Sequence, residues 1–170
     1  GYAARGLAMI GSLRAVTPGC HVTVLCLDDA CQTYLASLAL VEVDLLGLAD
    51  LERETPGLRS ARVGRSKAEY IFTCIPALLQ RSMERAPARG FVAYLDSDVY
   101  FYADPSEALF GVLEERDGAV GLTPHRFPEK LKHLRQYGDF NAGCVVFRCD
   151  ERGISAARWW AEKCREWCWD

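Results

Sequence analysis

The sequence has neither a strong excess of one charge nor a long apolar run. Its 170 residues carry a formal net charge of −3 with acidic and basic side chains interspersed, which argues against a nucleic-acid surface or a polybasic membrane patch. No apolar stretch approaches the roughly 20 residues that span a bilayer, so no integral membrane segment is predicted. Internal repeats and low-complexity segments are also lacking. No signal peptide is recognisable, but the sequence begins without an initiator Met, so a leader is neither inferred nor excluded.

Half of the residues are hydrophobic and the length suits one globular domain. Cysteine is abundant, with eight residues, yet several lie in or beside apolar runs, where a free thiol behaves as a small hydrophobic group: Cys26, Cys74, Cys144 and Cys149. This placement favours reduced thiols in a cytoplasmic protein over a disulfide framework. Cys164 and Cys168 share a helix face but lack a second paired motif that would complete a zinc site, so core packing is expected.

Apolar runs typical of strands alternate with segments of helical periodicity. Strands are predicted at 21–27, 41–46, 91–95 and 144–148, and 119–123 is a further apolar stretch. Helices are predicted at 2–16, 29–38, 64–85 and 151–168. This alternation predicts an α/β fold, a sandwich with a mostly parallel sheet covered on both faces, in a single domain over 1–170.

Two helix features are specific enough to check. The apolar stripe of the third helix is predicted to comprise Ala68, Phe72, Ile75 and Leu79, and that of the last helix Ile154, Ala157, Ala161, Cys164 and Cys168. Pro76 lies inside the third helix and is expected to kink or divide it.

The stretch "FVAYLDSDVYFYADP" at 91–105 ends a strand in two acids. Asp96 and Asp98 are two residues apart, so in an extended backbone they point to the same side, and α/β sheets bind ligands beyond the carboxyl ends of their strands. Two carboxylates together suit a hard cation, Mg²⁺ or Mn²⁺. They fill only part of its coordination shell, so water and the phosphate oxygens of a diphosphate fit the rest. A solvated turn whose acids cap the next segment is the alternative.

The stretch "YGDFNAGCVVF" at 137–147 places small residues before a strand. Asn141, Ala142 and Gly143 would let a ligand approach the backbone, and the Asn141 amide offers both a donor and an acceptor. A simple turn into the strand explains the same letters.

With both stretches, the chain resembles the nucleotide-diphospho-sugar transferases of the GT-A glycosyltransferase fold, which implies a three-layer sandwich. The segments that carry the resemblance are "YAARGLAMIGSL", "RSKAEYIFTCIPALL", "YLDSDVYFYADP" and "FNAGCVVFR". It is most similar to bacterial proteins of the glycogenin and galactosyltransferase group.

The resemblance implies a function: transfer of a sugar from a nucleotide-diphosphate sugar donor to an unknown acceptor. It implies that Asp96 and Asp98 bind Mn²⁺ or Mg²⁺ and that Asp96 also touches the donor. Asn141 and Ala142 would face the donor sugar. Tyr2 would stack on the nucleotide base, and Arg65 would reach a phosphate or the sugar.

The resemblance is incomplete at both ends. The family usually has a strand before the position of Tyr2 and a later segment with a metal-binding His, so we expect this chain to lack both and to be weakly active by itself. Two alternatives stay open. A haloacid-dehalogenase-like phosphohydrolase would use Asp96 as nucleophile and Thr123 downstream, and a non-catalytic module would bind a nucleotide or a partner protein through the Trp-rich last helix.

Overall fold

Five strands form two separate sheets in the computed structural model, which describes residues 2–166 apart from the side chain of Tyr137. The first sheet pairs β1 (Val22–Cys26) in parallel with β2 (Val43–Gly47). The second sheet contains β3 (Phe91–Leu95), β4 (Val120–Pro124) and β5 (Phe140–Arg148). β5 lies between β3 and β4 and is antiparallel to both.

Six α-helices connect and cover these strands. They are α1 (Tyr2–Val16), α2 (Asp29–Ser37), α3 (Leu48–Glu54), α4 (Lys67–Arg85), α5 (Val112–Glu115) and α6 (Glu151–Glu166). Shorter helical turns are 3-10 at Ser60–Arg62 and Glu129–Tyr137, and π-helical at Glu107–Gly111. Within the described part of the chain, none of the helices is both long and apolar enough to cross a membrane.

Side-chain caps explain where two of the helices begin. Asp28 accepts a hydrogen bond from the backbone N–H of Cys31 at 2.7 Å and so caps α2. α4 opens with a capping box, in which Ser66 accepts from the Glu69 N–H while the Glu69 carboxylate accepts from the Ser66 N–H.

The core is organised by α4, which packs on both sheets. Its first half joins a buried cluster with β2 and α3, whose members are Leu46, Leu51, Leu58, Tyr70, Cys74 and Ala77. Its second half joins a cluster with β5 and α6, whose members are Leu79, Met83, Val145, Phe147, Cys149 and Ala157. One helix therefore holds the two sheets on a common side.

The α/β character is confirmed, but the expectation of a mostly parallel sheet is corrected. Among the strands of residues 2–166, only β1 and β2 are parallel, and α2 is the crossover helix between them. The three-stranded sheet is antiparallel throughout its pairings. A continuous apolar run in the sequence indicates that both faces of the strand are covered, but it does not indicate whether the neighbouring strands are parallel or antiparallel to it.

The helix patterns were predicted in part. Ile75 and Leu79 are buried, whereas Ala68 and Phe72 are exposed, because the first turns of α4 bury the face that contains Tyr70 instead. Pro76 does not divide α4. Pro76 is itself fully buried, and the packing around it offsets the backbone hydrogen bond that proline cannot donate.

In α6, Ala157 and Ala161 are buried, but Ile154 is exposed. Cys168 lies outside the described residues. Cys26, Cys74 and Cys149 are buried free thiols, which agrees with their predicted role as small hydrophobic core groups.

Gly153 gives a direct test of how tightly α6 packs against the second sheet. A Cβ atom at position 153 would lie 2.0 Å from the Arg148 carbonyl oxygen, and a backbone atom cannot yield as a flexible side chain would. We expect Gly153→Ala to lower the free energy of unfolding by about 3 kcal/mol, as measured by urea denaturation of the complete protein.

Gly11→Ala is the matched control. Gly11 is an exposed interior residue of α1, and a Cβ atom there would meet nothing within 4 Å. This change should stabilise the protein by roughly 0.5–1 kcal/mol through helix propensity alone. A Gly153→Ala protein as stable as wild type would contradict the close packing of α6.

Candidate functional site

The two acids lie in a turn at the carboxyl end of β3. The Asp96 N–H donates to the Gly143 carbonyl at 2.9 Å, which extends the β3–β5 ladder one step beyond the last paired residue of β3. The Val99 N–H then donates to the Asp96 carbonyl at 3.3 Å, and the chain turns. Both acids are exposed, so they are available to a ligand.

Tyr94 orients the first acid. Its hydroxyl donates to Asp96 Oδ1 at 2.7 Å, which is possible because residues i and i+2 of a strand point to the same side. Burial, and then the hydrogen bond to Asp96, raise the pKa of Tyr94 above its ordinary value. The hydroxyl therefore stays a proton donor to Asp96 Oδ1, and Asp96 Oδ2 takes no part in this hydrogen bond.

The predicted Asn141 segment lies beside this acid. Asn141 Oδ1 accepts a hydrogen bond from the Gly143 N–H at 2.7 Å. A Cβ atom at position 143 would lie 3.0 Å from Asn141 Oδ1 and 3.0 Å from Asp96 Oδ2, so both oxygens lie close against Gly143. A side chain at this position would crowd them, whereas glycine does not. Ala142, between the two, is exposed.

The N-terminal end of α1 forms the other side of the turn. Arg5 Nη1 lies 3.6 Å from Asp98 Oδ2, and both side chains are more than half exposed, at 60% and 52%. An exposed pair of this kind contributes about 1 kcal/mol or less, so a competing cation would displace it at little cost. The Arg5 guanidinium also lies over the ring of Tyr2, 5.3 Å from its centroid.

Three further contacts hold α1 against the loop that follows the acids. A Cβ atom at Gly6 would be 3.8 Å from Ser97 Cβ, so the helix backbone runs close to the turn. Further along, buried Ser12 accepts from the Phe101 N–H at 3.1 Å, and Thr17 donates to Asp104 at 3.1 Å. The position of Arg5 relative to Asp98 thus follows from the packing of the whole helix.

The structure thus brings Tyr2, Asp96, Asp98 and Asn141 to one end of the β3–β5 pair. Arg65 has different partners: its guanidinium donates to Thr73 Oγ1 at 2.7 Å and to the Arg165 carbonyl at 2.6 Å. A contact between Arg65 and a phosphate or sugar stays a prediction, and it would require these hydrogen bonds to be exchanged.

Thr123, which the phosphohydrolase alternative would use, and the nearby His125 have local partners. Thr123 pairs with Asn141 across the β4–β5 ladder, and its hydroxyl donates to the Cys144 carbonyl at 3.3 Å. His125 stacks on Phe127 with ring centroids 4.4 Å apart, and its backbone N–H donates to the Asp139 carbonyl. Both contacts belong to the β4–β5 connection.

The donor chemistry of the site fits a hard divalent cation. Asp96 Oδ2 and the Asp98 carboxylate are oxygen ligands of the type that Mg²⁺ and Mn²⁺ prefer. Within residues 2–166 no group of three or more His, Cys, Asp or Glu side chains is placed to hold a metal. The described protein ligands are therefore two carboxylates, and water or ligand oxygens would supply the remaining positions.

Sequence reasoning did not identify Arg5 or Tyr94. Tyr94 had a usable signal, since it lies two residues before Asp96 in a predicted strand. Arg5 had none, because it lies over ninety positions from Asp98 in the sequence and only the packing of α1 joins them.

Comparison with known proteins connects this geometry to a fold. No family model matches the chain. The chain is 31% identical over 170 residues to the uncharacterized protein YfnF of Bacillus subtilis (strain 168), with 96% of this chain and 55% of that protein covered. It is 28% identical over 163 residues to the uncharacterized protein YfnD of the same strain, with 95% and 51% covered. The chain thus spans about half the length of the curated relatives it matches.

Among solved structures, the chain is similar to mouse xyloside xylosyltransferase 1 in its apo form. The TM-score is 0.55 at 15% sequence identity, over 96% of this chain and 66% of that one. At this identity the similarity concerns the fold, which is that of a glycosyltransferase.

The raised pKa of Tyr94 predicts a specific alkaline instability. The unfolded chain releases the Tyr94 proton near pH 10, while the folded chain retains it, so the stability that this hydroxyl contributes is present below pH 10 and is lost as the pH rises. Tyr94→Phe should cost about 1 kcal/mol at pH 8. The difference from wild type should shrink above pH 10, as measured by unfolding at a series of pH values.

Tyr102→Phe is the control, because the Tyr102 ring is 89% exposed. Its difference from wild type should not change with pH. A constant difference for Tyr94→Phe across pH 8 to 11 would show that Tyr94 is not held as a buried donor to Asp96.

Proposed function

We propose that the protein is a metal-dependent glycosyltransferase that moves a sugar from a nucleotide-diphosphate sugar to an acceptor. The observation that carries the proposal is the convergence of the Asp96 carboxylate and the Asn141 amide beside Gly143, which has no side chain to cover them, with Asp98 two residues after Asp96 in the same turn. This convergence lies at the end of a strand pair in a chain with the fold of a xylosyltransferase. A ligand that binds there meets carboxylate oxygens, an amide and exposed backbone.

Each residue has a defined role in this proposal. Asp96, held by Tyr94, and Asp98 are the ligands of Mn²⁺ or Mg²⁺. A bound divalent cation supplies Lewis-acid stabilisation of the charge on the departing nucleoside diphosphate. The Asn141 amide contacts the donor sugar, and the hydrogen bond from the Gly143 N–H to its Oδ1 fixes the orientation of the amide. Ala142 faces the same sugar, and Tyr2 lies against the base.

A carboxylate that binds a cation is a poor proton acceptor, and Asp96 also accepts a hydrogen bond from Tyr94. The two acids therefore act as ligands in this proposal, not as the base that deprotonates the acceptor. The acceptor, the donor sugar and the retention or inversion of its configuration are outside the proposal.

The strand that the resemblance places before Tyr2 is part of the same proposal. Among the described strands, β1 pairs only with β2, and β3 pairs only with β5, so each has an edge without a partner. α4 packs on both sheets. An added strand that joins these two edges would convert the sheets into one continuous layer. A cytoplasmic location and a C-terminal segment that completes the site are proposed with it.

Ligand-induced stabilisation of the complete protein tests the function. A panel of nucleoside diphosphates and nucleotide sugars is added with and without Mn²⁺. A ligand at one hundred times its Kd should raise Tm by about 5 to 10 °C, and only when Mn²⁺ is present. Asp98→Asn should abolish this joint effect, because it removes one of the two charged ligands.

Glu115→Gln is the matched control, since it neutralises an exposed carboxylate at the end of α5. The Glu115→Gln protein should keep the full Mn²⁺-dependent rise in Tm. An Asp98→Asn protein with an undiminished Mn²⁺-dependent shift would refute the site. Hydrolysis of a phosphate ester with phosphorylation of Asp96 would favour the phosphohydrolase instead, and tight nucleotide binding without sugar transfer would favour a binding module.

Gly143→Ala tests the convergence itself. The added Cβ atom would lie 3.0 Å from both Asp96 Oδ2 and Asn141 Oδ1, so the Asp96 carboxylate and the Asn141 amide must shift by a few tenths of an ångström. We expect Mn²⁺-dependent nucleotide affinity to fall on the order of ten-fold, which corresponds to the loss of about one charge-assisted hydrogen bond. Calorimetric titration measures it.

Gly6→Ala adds the same methyl group on the other side of the turn, at an ordinary contact distance of 3.8 Å from Ser97 Cβ. It should leave the affinity unchanged. Equal affinities for Gly143→Ala and wild type would mean that ligand binding does not depend on the arrangement of Asp96 and Asn141 beside Gly143.

A further inference from the structure

Arg5 lies at the candidate site, and within the described part of the chain its side chain makes no short hydrogen bond that would explain this position by stabilisation of the fold. Its guanidinium is 3.6 Å from Asp98 Oδ2, which is longer than the 2.7–2.9 Å of a good charge-assisted hydrogen bond. Within residues 2–166 its side chain makes no other polar contact. Most of its N–H donors are therefore available.

Tyr2 holds the Arg5 guanidinium in this position. The guanidinium lies over the Tyr2 ring at 5.3 Å from the centroid, and the two residues are three apart on α1, so they are neighbours on one helix face. A guanidinium that lies over an aromatic face keeps its N–H edges free. Its planar fork then suits the paired oxygens of a phosphate.

Charge balance indicates which ligand would meet these donors. Asp96 and Asp98 together exceed the single positive charge of Arg5, so the site is net negative as it stands. A divalent cation on the two acids would cancel their charges and so remove the attraction that holds Arg5 at Asp98. The cation and Arg5 would then both be able to contact one anion, and a diphosphate is such an anion.

We propose that Arg5 binds the diphosphate group of the donor, and that in the metal-free protein it occupies Asp98 in place of the cation. This inference rests on the proposed function and adds a residue and an order of events to it. Arg5 leaves Asp98 when the cation binds, and it is then directed to the phosphate oxygens. Cation and diphosphate therefore strengthen one another's binding.

The test uses two affinities that the loss of Arg5 should change differently: the affinity for Mn²⁺ alone should not fall, and the affinity for the nucleotide should fall. Mn²⁺ binding alone is measured from the electron paramagnetic resonance of free Mn²⁺, and binding of UDP, GDP, ADP and inorganic pyrophosphate is measured by calorimetry at saturating Mn²⁺. For Arg5→Gln in the complete protein, Mn²⁺ alone should bind as tightly as in wild type or more tightly, because a competitor for Asp98 is gone. The nucleotide that wild type binds should bind on the order of ten-fold more weakly.

Two variants control the interpretation. Arg5→Lys keeps the charge but not the fork, and it should recover part of the lost affinity. Arg116→Gln removes an exposed arginine that follows α5, and it should change neither measurement. Unfolding curves establish that each variant is folded.

The outcomes distinguish this inference from the function on which it rests. If wild type binds none of the four anions with Mn²⁺, the proposed function is wrong, and the role proposed for Arg5 is wrong as well. If wild type binds a nucleotide and the affinity of Arg5→Gln for it is within two-fold, the diphosphate-binding role of Arg5 is excluded and the proposed function is not. A loss for the nucleotide but not for pyrophosphate would place the contact on the base or ribose and overturn the diphosphate assignment. Weaker binding of Mn²⁺ alone by Arg5→Gln would show that Arg5 supports the turn.

Discussion

The hydrogen bond from the Asp96 N–H to the Gly143 carbonyl is the contact on which the site depends. It continues the antiparallel ladder of β3 and β5 past the last residue of β3, so two segments nearly fifty residues apart meet in a defined register. With a different register Asp96 would face another residue of β5, and its carboxylate would no longer lie beside Gly143 and Asn141. The chemistry at the acids is therefore a consequence of strand pairing.

Two helices support the site around that strand pairing: α4 packs against the sheet, and α1 packs against the loop that follows β3. α4 packs on both sheets and so keeps β3 and β5 in place relative to β1 and β2. α1 carries Tyr2 and Arg5 to the acids because its middle is fixed, through buried Ser12, to the loop after β3. Rigid elements hold both sides of the site, although the functional side chains themselves are exposed.

The local parts of this arrangement were predictable from sequence. Most strands and long helices follow from apolar periodicity, and the Asp28 cap follows from residue type. Asp96 and Asp98 were found because a strand that ends in two acids is chemically unusual. The antiparallel direction of β5 was not predictable, because strands covered on both faces look alike in sequence. Arg5 was missed for a related reason: its partner is set by the packing of α1, which no local pattern records.

The charge of the site also bears on the reaction. When the bond between a sugar and a nucleoside diphosphate breaks, the diphosphate gains a negative charge, so nearby cations bind the departing group more tightly than the intact donor. This difference is what accelerates a reaction, since uniform binding of substrate and transition state does not. Arg5, exposed on a fixed helix, requires little reorganisation to meet that charge. A weak contact with Asp98 in the metal-free protein suits such a residue, because a strong ion pair would hold the guanidinium away from the group that it stabilises.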